Sequence, residues 1–208
     1  MLAPGAVRWI GPFGAVVVLL VALVGLRVLP AGPVEIGAVV ALLAATTFLA
    51  WFFRDPSRPV GAGIVSAADG RIREVEDDGT RLRISVFMNV TDVHVNRVPL
   101  DGTLQKIVPA GAGFRAAYRP AAEQNVRRHY HLETALGPVE VVQITGVVAR
   151  RIVSFVAAGA TLHRGDRFGM IVLGSRVDLI LPSARVRASV RVGDRVRAGV
   201  STVAEERA

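Results

Sequence analysis

The sequence predicts a mostly β domain that follows a pair of N-terminal membrane helices. Two long apolar segments occur before residue 54, and apolar and polar residues alternate over much of the chain after it. Dipeptides of glycine with aspartate or proline recur in that second part, as they do between short strands. The 208 residues suffice for one domain with a sizeable core and an additional segment.

The two apolar segments cover residues 13–29 and 34–53, and Pro30-Ala31-Gly32-Pro33 forms a turn between them. A helix rises about 1.5 Å per residue, so both segments can cross a hydrocarbon core of about 30 Å, the first one barely. A signal peptide fits less well, because a second apolar segment follows at once. A re-entrant pair of helices would have a similar composition and stays open.

Arginines flank this predicted hairpin on both sides. Arg8 precedes the first segment, and Arg54 and Arg58 follow the second. Positive flanking residues favour the cytoplasmic side of a membrane. We therefore predict a cell-membrane protein with a membrane hairpin over residues 1–53 and a β-rich domain over residues 54–208 on the cytoplasmic side.

Alternating apolar residues support the β assignment of the second part. They are Leu82, Ile84 and Val86 in one stretch, and Val186, Val190 and Val192 in another. The segments "LHRGDRFG" at 162–169 and "VRVGDRVRAG" at 190–199 resemble the hairpin turns of lipoyl-type β domains. Two independent Gly-Asp turns explain them almost equally well.

The composition restricts the partners and the chemistry. The net charge is +8, with 24 arginines and the single lysine Lys106. The sequence shows no aromatic-rich RNA-binding motif and no DNA-reading helix, so an anionic membrane surface is the expected partner and nucleic acid is not. A GC-rich genome would give the same arginine excess. The absence of cysteine excludes disulfides and thiolate catalysis.

Three short motifs occur in order along the chain. They are "SAADG" at 66–70, "DVHVNR" at 92–97 and Gly174-Ser175 at the end of an apolar run. A lone Gly-Ser in a sheet protein usually marks only a bulge or bend. Together, however, the three motifs resemble the phosphatidylserine decarboxylase family, in particular its short bacterial and archaeal branch.

The resemblance implies a proenzyme that cuts itself. In that family the serine hydroxyl attacks the preceding glycine carbonyl, and elimination and hydrolysis then leave an N-terminal pyruvoyl group and ammonia. Here Ser175 would attack Gly174, and the products would be a β chain of residues 1–174 and an α chain of residues 175–208. These two chains would form a heterodimer, and a higher oligomer stays open. A pyridoxal phosphate enzyme is less consistent, because Lys106 has no cofactor-binding context.

The resemblance also assigns candidate site residues. Asp69 matches the aspartate of the family's "ADG" motif and is expected to orient or charge a histidine. His94 matches the first of two family histidines and is the candidate acid–base group, although a histidine packed against the sheet is the alternative. Arg97 replaces the second histidine, so the family's triad cannot be transferred whole. We predict that Arg97, Arg115 and Arg119 bind the substrate carboxylate or phosphate, although a solvated basic face would look the same.

The sequence does not predict a metal site. His129 and His131 alternate along one strand and share a face, but no third ligand is evident. The cofactor that the resemblance implies is thus the pyruvoyl group derived from Ser175, without a metal.

The resemblance implies decarboxylation of phosphatidylserine to phosphatidylethanolamine, with the substrate amine held as a Schiff base on the pyruvoyl group. One alternative is a non-catalytic, lipoyl-like β module on a membrane anchor. Another is a decarboxylase that acts on a related ether-linked serine lipid. The first alternative does not explain why the three motifs occur together, and the sequence does not distinguish an ester from an ether lipid.

Overall fold

The computed structural model describes residues 1–30, 32–113, 115, 124–146, 151–172 and 175–207. The chain divides into two compact units, Met1–Pro56 and Ser57–Ala208. The first unit is helical and the second is built of strands. The predicted fold class, a mostly β domain preceded by two apolar helices, is confirmed, whereas the lipoyl-like detail stays a prediction.

The first unit is a pair of apolar helices, α1 (Val7–Gly25) and α2 (Pro33–Phe52). Both are long and apolar enough to cross a membrane. α1 begins and ends earlier than the predicted 13–29. It begins at Val7 because Pro12 is accommodated inside the helix. At its C-terminal end Arg27 adopts a positive φ of 59°, and the Val28 amide turns back to the Leu23 carbonyl at 2.9 Å. This reversal is a usual way to end a helix.

The ends of the first unit are joined by backbone hydrogen bonds. The Ala3 amide donates to the Phe53 carbonyl, and the Asp55 amide donates to the Met1 carbonyl, each at 2.8 Å. The guanidinium of Arg54 lies 4.3 Å from the centre of the Trp51 ring. Residues before α1 and after α2 therefore meet at one end of the helix pair.

The second unit consists of short strands. In chain order they are β1 (Ile64–Val65), β2 (Gly70–Asp77), β3 (Arg81–Met88), β4 (Val95–Arg97), β5 (Gly102–Ala110), β6 (Arg127–Thr134), β7 (Gly137–Thr145), β8 (Arg151–Ser154), β9 (Thr161–Leu162), β10 (Arg167–Val172), β11 (Ser175–Pro182), β12 (Val186–Ala188), β13 (Arg195–Val196) and β14 (Thr202–Glu206).

These strands form one large sheet and two small ones, and neighbouring strands are antiparallel. The large sheet has the strand order β13-β2-β3-β11-β7-β6-β5-β9. The small sheets have the orders β4-β10-β8 and β1-β14-β12. β11 therefore lies in the interior of the large sheet, with β3 on one side and β7 on the other.

The alternating pattern predicted on β3 is confirmed. Leu82, Ile84 and Val86 are buried in the same core cluster as Val177 and Leu179 of the neighbouring strand β11. The second stretch was predicted to be a strand through Val186, Val190 and Val192, and this is wrong after β12. Val190 and Val192 lie outside the strands, and Val192 is 64% exposed. A turn is formed there, in which Asp194 accepts a hydrogen bond from the Arg191 amide at 2.8 Å.

Candidate active site

Ser175 is the first residue of β11, opposite Met88 of β3 and Thr145 of β7. It is fully buried, and its Oγ donates a hydrogen bond to Met88 Sδ at 3.2 Å. A thioether sulfur is a weak acceptor and has no proton to donate. The hydroxyl proton therefore points toward the sulfur, and the lone pairs of the oxygen face elsewhere. The residue before it, Gly174, lies outside the described residues.

A chain of buried polar side chains ends on the same sulfur. Asn96 Nδ2 donates to Met88 Sδ at 3.6 Å, and Gln143 Nε2 donates to Asn96 Oδ1 at 2.6 Å. Tyr130 Oη donates to Gln143 Oε1 at 2.7 Å. Burial raises the pKa of Tyr130, so the phenol keeps the proton that it donates. The sequence analysis did not identify Met88, Gln143 or Tyr130, because each of them reads as an ordinary core residue.

His94 is buried immediately before β4. Its Nδ1 lies 2.9 Å from the Asp92 carbonyl oxygen. A carbonyl oxygen can only accept, so this contact assigns the proton of the neutral ring to Nδ1 and makes Nε2 the basic nitrogen. The His94 carbonyl accepts from the Ile171 amide at 3.4 Å. His94 is thereby placed against β10, the strand that ends shortly before Ser175.

Asp69 lies in an ion pair that joins three parts of the second unit. Arg58 donates to both of its carboxylate oxygens, with Nη2 2.7 Å from Oδ2. The Ala198 amide donates to Oδ1 at 2.8 Å, and Arg58 Nη1 also reaches the Ala198 carbonyl at 3.1 Å. The carboxylate therefore connects the start of the unit, the "ADG" motif and the C-terminal segment. That Asp69 orients a histidine stays a prediction.

Gly70 of the same motif has a steric role. Its φ is +145°, and a Cβ at this position would lie 2.0 Å from the Phe87 carbonyl oxygen and 3.3 Å from the Met88 Cα. Only glycine permits so close a backbone approach. Gly70 is thus the first residue of β2 and lies in close backbone contact with the part of β3 that contacts Ser175.

Arg97 is buried on β4 and is held at both its backbone and its side chain. Its amide donates to the Ala67 carbonyl at 2.9 Å, and Nη1 donates to the Gly165 carbonyl at 3.0 Å. Gly199 leaves room for this side chain, because a Cβ there would lie 2.7 Å from Arg97 Cδ. The backbone contact connects the "DVHVNR" and "SAADG" motifs. A role of Arg97 in binding anions stays a prediction.

Arg115 is exposed and is attached to the site through Asn125. The Asn125 amide side chain accepts from the Arg115 amide at 2.7 Å and donates to the Arg115 carbonyl at 2.6 Å. It also donates to the carbonyl of Thr145, the residue opposite Ser175, at 2.6 Å. Two residues, Asn125 and Thr145, therefore link Arg115 to Ser175. Arg119 lies outside the described residues.

The opposite face of β11 carries a buried ion pair that the sequence analysis missed. Arg176 Nε and Nη2 contact the two carboxylate oxygens of Asp178, both at 2.7 Å, and Glu74 lies 3.8 Å from Nη2. Burial opposes the charge, but hydrogen bonds and attraction from Asp178 outweigh it and raise the pKa of Arg176. An Arg-x-Asp pattern on a strand could have indicated this pair, because residues two apart share a face.

His129 and His131 share a face of β6, as predicted. His129 Nδ1 lies 2.5 Å from Glu140 Oε1, whereas His131 Nε2 is 3.9 Å from the same oxygen. Burial lowers the pKa of His131, and Glu140 opposes this effect. Within the described ranges, no group of three or more histidine, cysteine and carboxylate side chains is arranged to hold a metal ion.

Comparisons with a family model and with individual known proteins point to the same family. The family model described as phosphatidylserine decarboxylase matches residues 45–204. A phosphatidylserine decarboxylase proenzyme of Streptomyces avermitilis is 41% identical over 205 residues, which is 97% of this chain and 92% of the relative. One of Nitratidesulfovibrio vulgaris is 48% identical over 178 residues, 80% of this chain and 82% of the relative.

An archaeal relative is similar to the same degree. A Halobacterium salinarum protein that bears the provisional name archaetidylserine decarboxylase proenzyme is 46% identical over 167 residues, 78% of this chain and 83% of the relative. The resemblance to the short bacterial and archaeal branch is thereby confirmed. This chain belongs to the phosphatidylserine decarboxylase family.

Proposed function

We propose that the chain is a proenzyme that cuts itself between Gly174 and Ser175 and then decarboxylates phosphatidylserine to phosphatidylethanolamine. The observation that carries this proposal is the buried Ser175 hydroxyl at the start of β11, held only by a weak acceptor in its described contacts. Relatives that are named phosphatidylserine decarboxylase proenzymes support the same interpretation.

Self-cleavage begins with the Ser175 hydroxyl as nucleophile. A base takes its proton, Oγ bonds to the Gly174 carbonyl carbon, and the peptide C–N bond breaks, which leaves an ester and a free amine. Loss of the Ser175 Cα proton then breaks the Cβ–Oγ bond, so Oγ leaves as part of a carboxylate on residue 174. Water replaces the nitrogen, which departs as ammonia, and the α chain begins with a pyruvoyl group.

His94 is the proposed base. A serine hydroxyl is a poor nucleophile until a neighbouring base accepts its proton. The contact between Nδ1 and the Asp92 carbonyl leaves Nε2 as the basic nitrogen, and the backbone bond to Ile171 places the residue beside the strand leading to Ser175. Asp69 and Arg58 contribute to the site by attaching the "ADG" segment to the C-terminal segment.

The two chains are expected to remain together after the cut. The C-terminal segment contributes β11 to the interior of the large sheet, β13 to its edge, and β12 and β14 to a small sheet with β1. All of these strands pair with strands from before the cut or with each other. We therefore propose a heterodimer in which residues 175–208 form an integral part of the fold.

Ser175 is fully buried in the uncut chain, so a substrate amine can reach this position only after the new chain ends separate. The position suits a pyruvoyl group, because that group needs no more room than the serine from which it derives. A pyruvoyl group supplies an electrophilic carbonyl that accepts the electrons released when a carboxylate leaves as CO2. Arg115, which Asn125 attaches to Thr145, is the candidate for binding the lipid phosphate, together with Arg97 and Arg119.

The helices α1 and α2 anchor the enzyme to the membrane that contains its lipid substrate. A two-chain lipid rarely leaves a bilayer, so a tethered enzyme meets it at the membrane surface. We propose a spanning hairpin with the β domain on the cytoplasmic side.

A labelling experiment tests this topology. Because the chain has no cysteine, Ala31→Cys introduces a single label site at the predicted turn. Reaction with an impermeant thiol reagent from outside the cell supports a spanning hairpin, and reaction only from the cytoplasm supports a re-entrant one.

The archaeal relative favours one second candidate, a serine lipid with ether-linked chains. Both lipids present the same phosphoserine headgroup, so the chemistry at residue 175 is unchanged. Turnover of the two lipids in matched detergent micelles decides between them.

The test of the proposed function is made on the purified full-length chain. Intact mass measurement should show two chains separated at 174/175, the smaller one reactive toward hydroxylamine. Phosphatidylserine vesicles should release CO2 and accumulate phosphatidylethanolamine. A chain that stays whole with a free Ser175 favours the non-catalytic β module, and a cut chain that leaves both serine lipids unchanged refutes the assigned substrate.

A further inference from the structure

The sulfur of Met88 is the meeting point of two hydrogen-bond donors, Ser175 Oγ and Asn96 Nδ2. All three residues are fully buried. Because a thioether cannot donate, both donors must point their protons at it. The direction of the Ser175 hydroxyl is therefore determined by the position of one sulfur atom.

The position of Asn96 is determined in turn by Gln143 and Tyr130. The Tyr130 phenol can donate to only one of the two Gln143 side-chain atoms, the carbonyl oxygen, and this leaves Gln143 Nε2 to donate to Asn96 Oδ1. Asn96 consequently presents its amide nitrogen to the sulfur. The chain of contacts has a single direction, from Tyr130 to Met88.

Gly169 of β10 provides the space for this arrangement. A Cβ at residue 169 would lie 3.0 Å from Gln143 Nε2 and 2.8 Å from the Val153 carbonyl oxygen. Any other residue would displace the Gln143 amide or the neighbouring strand. The glycine in the run before Ser175 thus keeps the polar chain in place.

We propose that Met88 is a positioning residue for self-cleavage, held by Asn96, Gln143 and Tyr130, and that it has no part in decarboxylation. This inference rests on the proposed function. The sulfur orients the hydroxyl but holds its proton weakly, so the proton is transferred to the base at small cost. The lone pairs of Oγ stay directed away from the sulfur and available for attack.

The restriction to self-cleavage follows from the fate of the oxygen. When the Cβ–Oγ bond breaks, Oγ leaves with residue 174 as a carboxylate oxygen. The mature enzyme then has no hydroxyl at residue 175 for Met88 to orient. A residue that acts only through this contact affects the formation of the two chains and not their turnover.

The test compares Met88→Leu with the matched control Met170→Leu in the full-length chain. Met170 is equally buried, on β10, and Leu for Met conserves core volume in both variants. Time courses of cutting after cell-free synthesis should show Met88→Leu slowed roughly tenfold, because the Ser175 hydroxyl is no longer held in one orientation before its proton is transferred. CO2 release per hydroxylamine-reactive chain should remain that of the wild type, and Met170→Leu should change neither quantity.

A second measurement replaces methionine with norleucine in the Met170→Leu chain, which removes the sulfur of Met88 and keeps its shape. Cutting should slow to the same extent as in Met88→Leu. Wild-type cutting rates in both altered proteins overturn the inference and leave the proposed function intact. Equal losses of cutting and of turnover per cut chain show a merely structural role and also overturn it. A wild-type chain that never cuts overturns the proposed function itself.

Discussion

The two faces of β11 bury polar groups in opposite ways. On the core face, the neutral Ser175 contacts a sulfur atom. It shares this face with the apolar residues Val177 and Leu179. On the other face, Arg176 and Asp178 neutralise each other through two hydrogen bonds. Successive residues of one strand thus provide a reactive group and a charge pair, because side chains alternate between the faces.

The face with Ser175 serves the chemistry, and the face with Arg176 and Asp178 contributes to stability. A buried charge that loses its partner is strongly destabilising, so the Arg176–Asp178 face tolerates little change. A hydroxyl on a weak acceptor contributes little to stability, which leaves it available for reaction. Substitution of Ser175 should therefore change cutting more than stability, and substitution of Arg176 or Asp178 should do the reverse. The following predictions test this contrast, in order of decreasing effect.

Ser175→Ala should abolish both self-cleavage and decarboxylation, because it removes the nucleophile and the source of the pyruvoyl group. Its melting temperature should stay close to that of the uncut wild-type precursor, since the substitution removes only the weak contact with Met88. Intact mass and calorimetry measure the two quantities. Ser189→Ala, at an exposed serine of the same segment, is the control. The appearance of two chains in Ser175→Ala would contradict the mechanism.

His94→Ala should slow self-cleavage by about 100-fold or more, the usual contribution of a general base. Uncut precursor should then accumulate on gels and in mass spectra. His163→Ala serves as the control, because that side chain is 74% exposed. If His94→Ala cuts normally and only turnover falls, His94 serves decarboxylation alone. Normal cutting and normal turnover together remove it from the mechanism.

Asp178→Asn should lower the free energy of unfolding by about 3–5 kcal/mol, since Arg176 is left buried without its main counter-charge. Urea unfolding of the uncut Ser175→Ala chain, with and without the second change, measures this loss. The cutting rate of folded Asp178→Asn should be close to that of the wild type. Glu205→Gln, which breaks the exposed ion pair with Arg187, should have no measurable effect on stability. Similar results for both substitutions would refute the contrast between the two faces.

Tyr130→Phe should have the smallest effect. It removes the first donor of the polar chain but keeps the ring that packs edge-on against Phe168 at 4.9 Å. Loss of one neutral hydrogen bond costs about 1 kcal/mol, so cutting should slow only severalfold. A time course beside the wild type measures this change. Loss of cutting as complete as in Ser175→Ala would show that the phenol does more than hold Gln143.

The sequence by itself determined the family, the mostly β architecture and the identity of Ser175 and His94 as candidates. The predictions of the family and of the architecture were confirmed because they depend on local patterns: apolar runs of membrane length, alternation along β3, and three short motifs in order. The roles of Ser175 and His94 stay predictions. The boundaries of α1 were predicted less well, because helix ends depend on backbone reversals such as the one at Arg27.

Only the tertiary structure decided which side chains meet at the site. Met88 and Ser175 are 87 residues apart, and Asp69 and Ala198 are 129 apart. Such contacts depend on which strands are neighbours and on their register, and a shift of one residue would turn Ser175 to the opposite face. Periodicity along a strand contains no information about either. The contacts of Met88 and Gln143 therefore became evident only when β3, β4, β7 and β11 were placed side by side, and the Arg58–Asp69 pair only when the chain was folded.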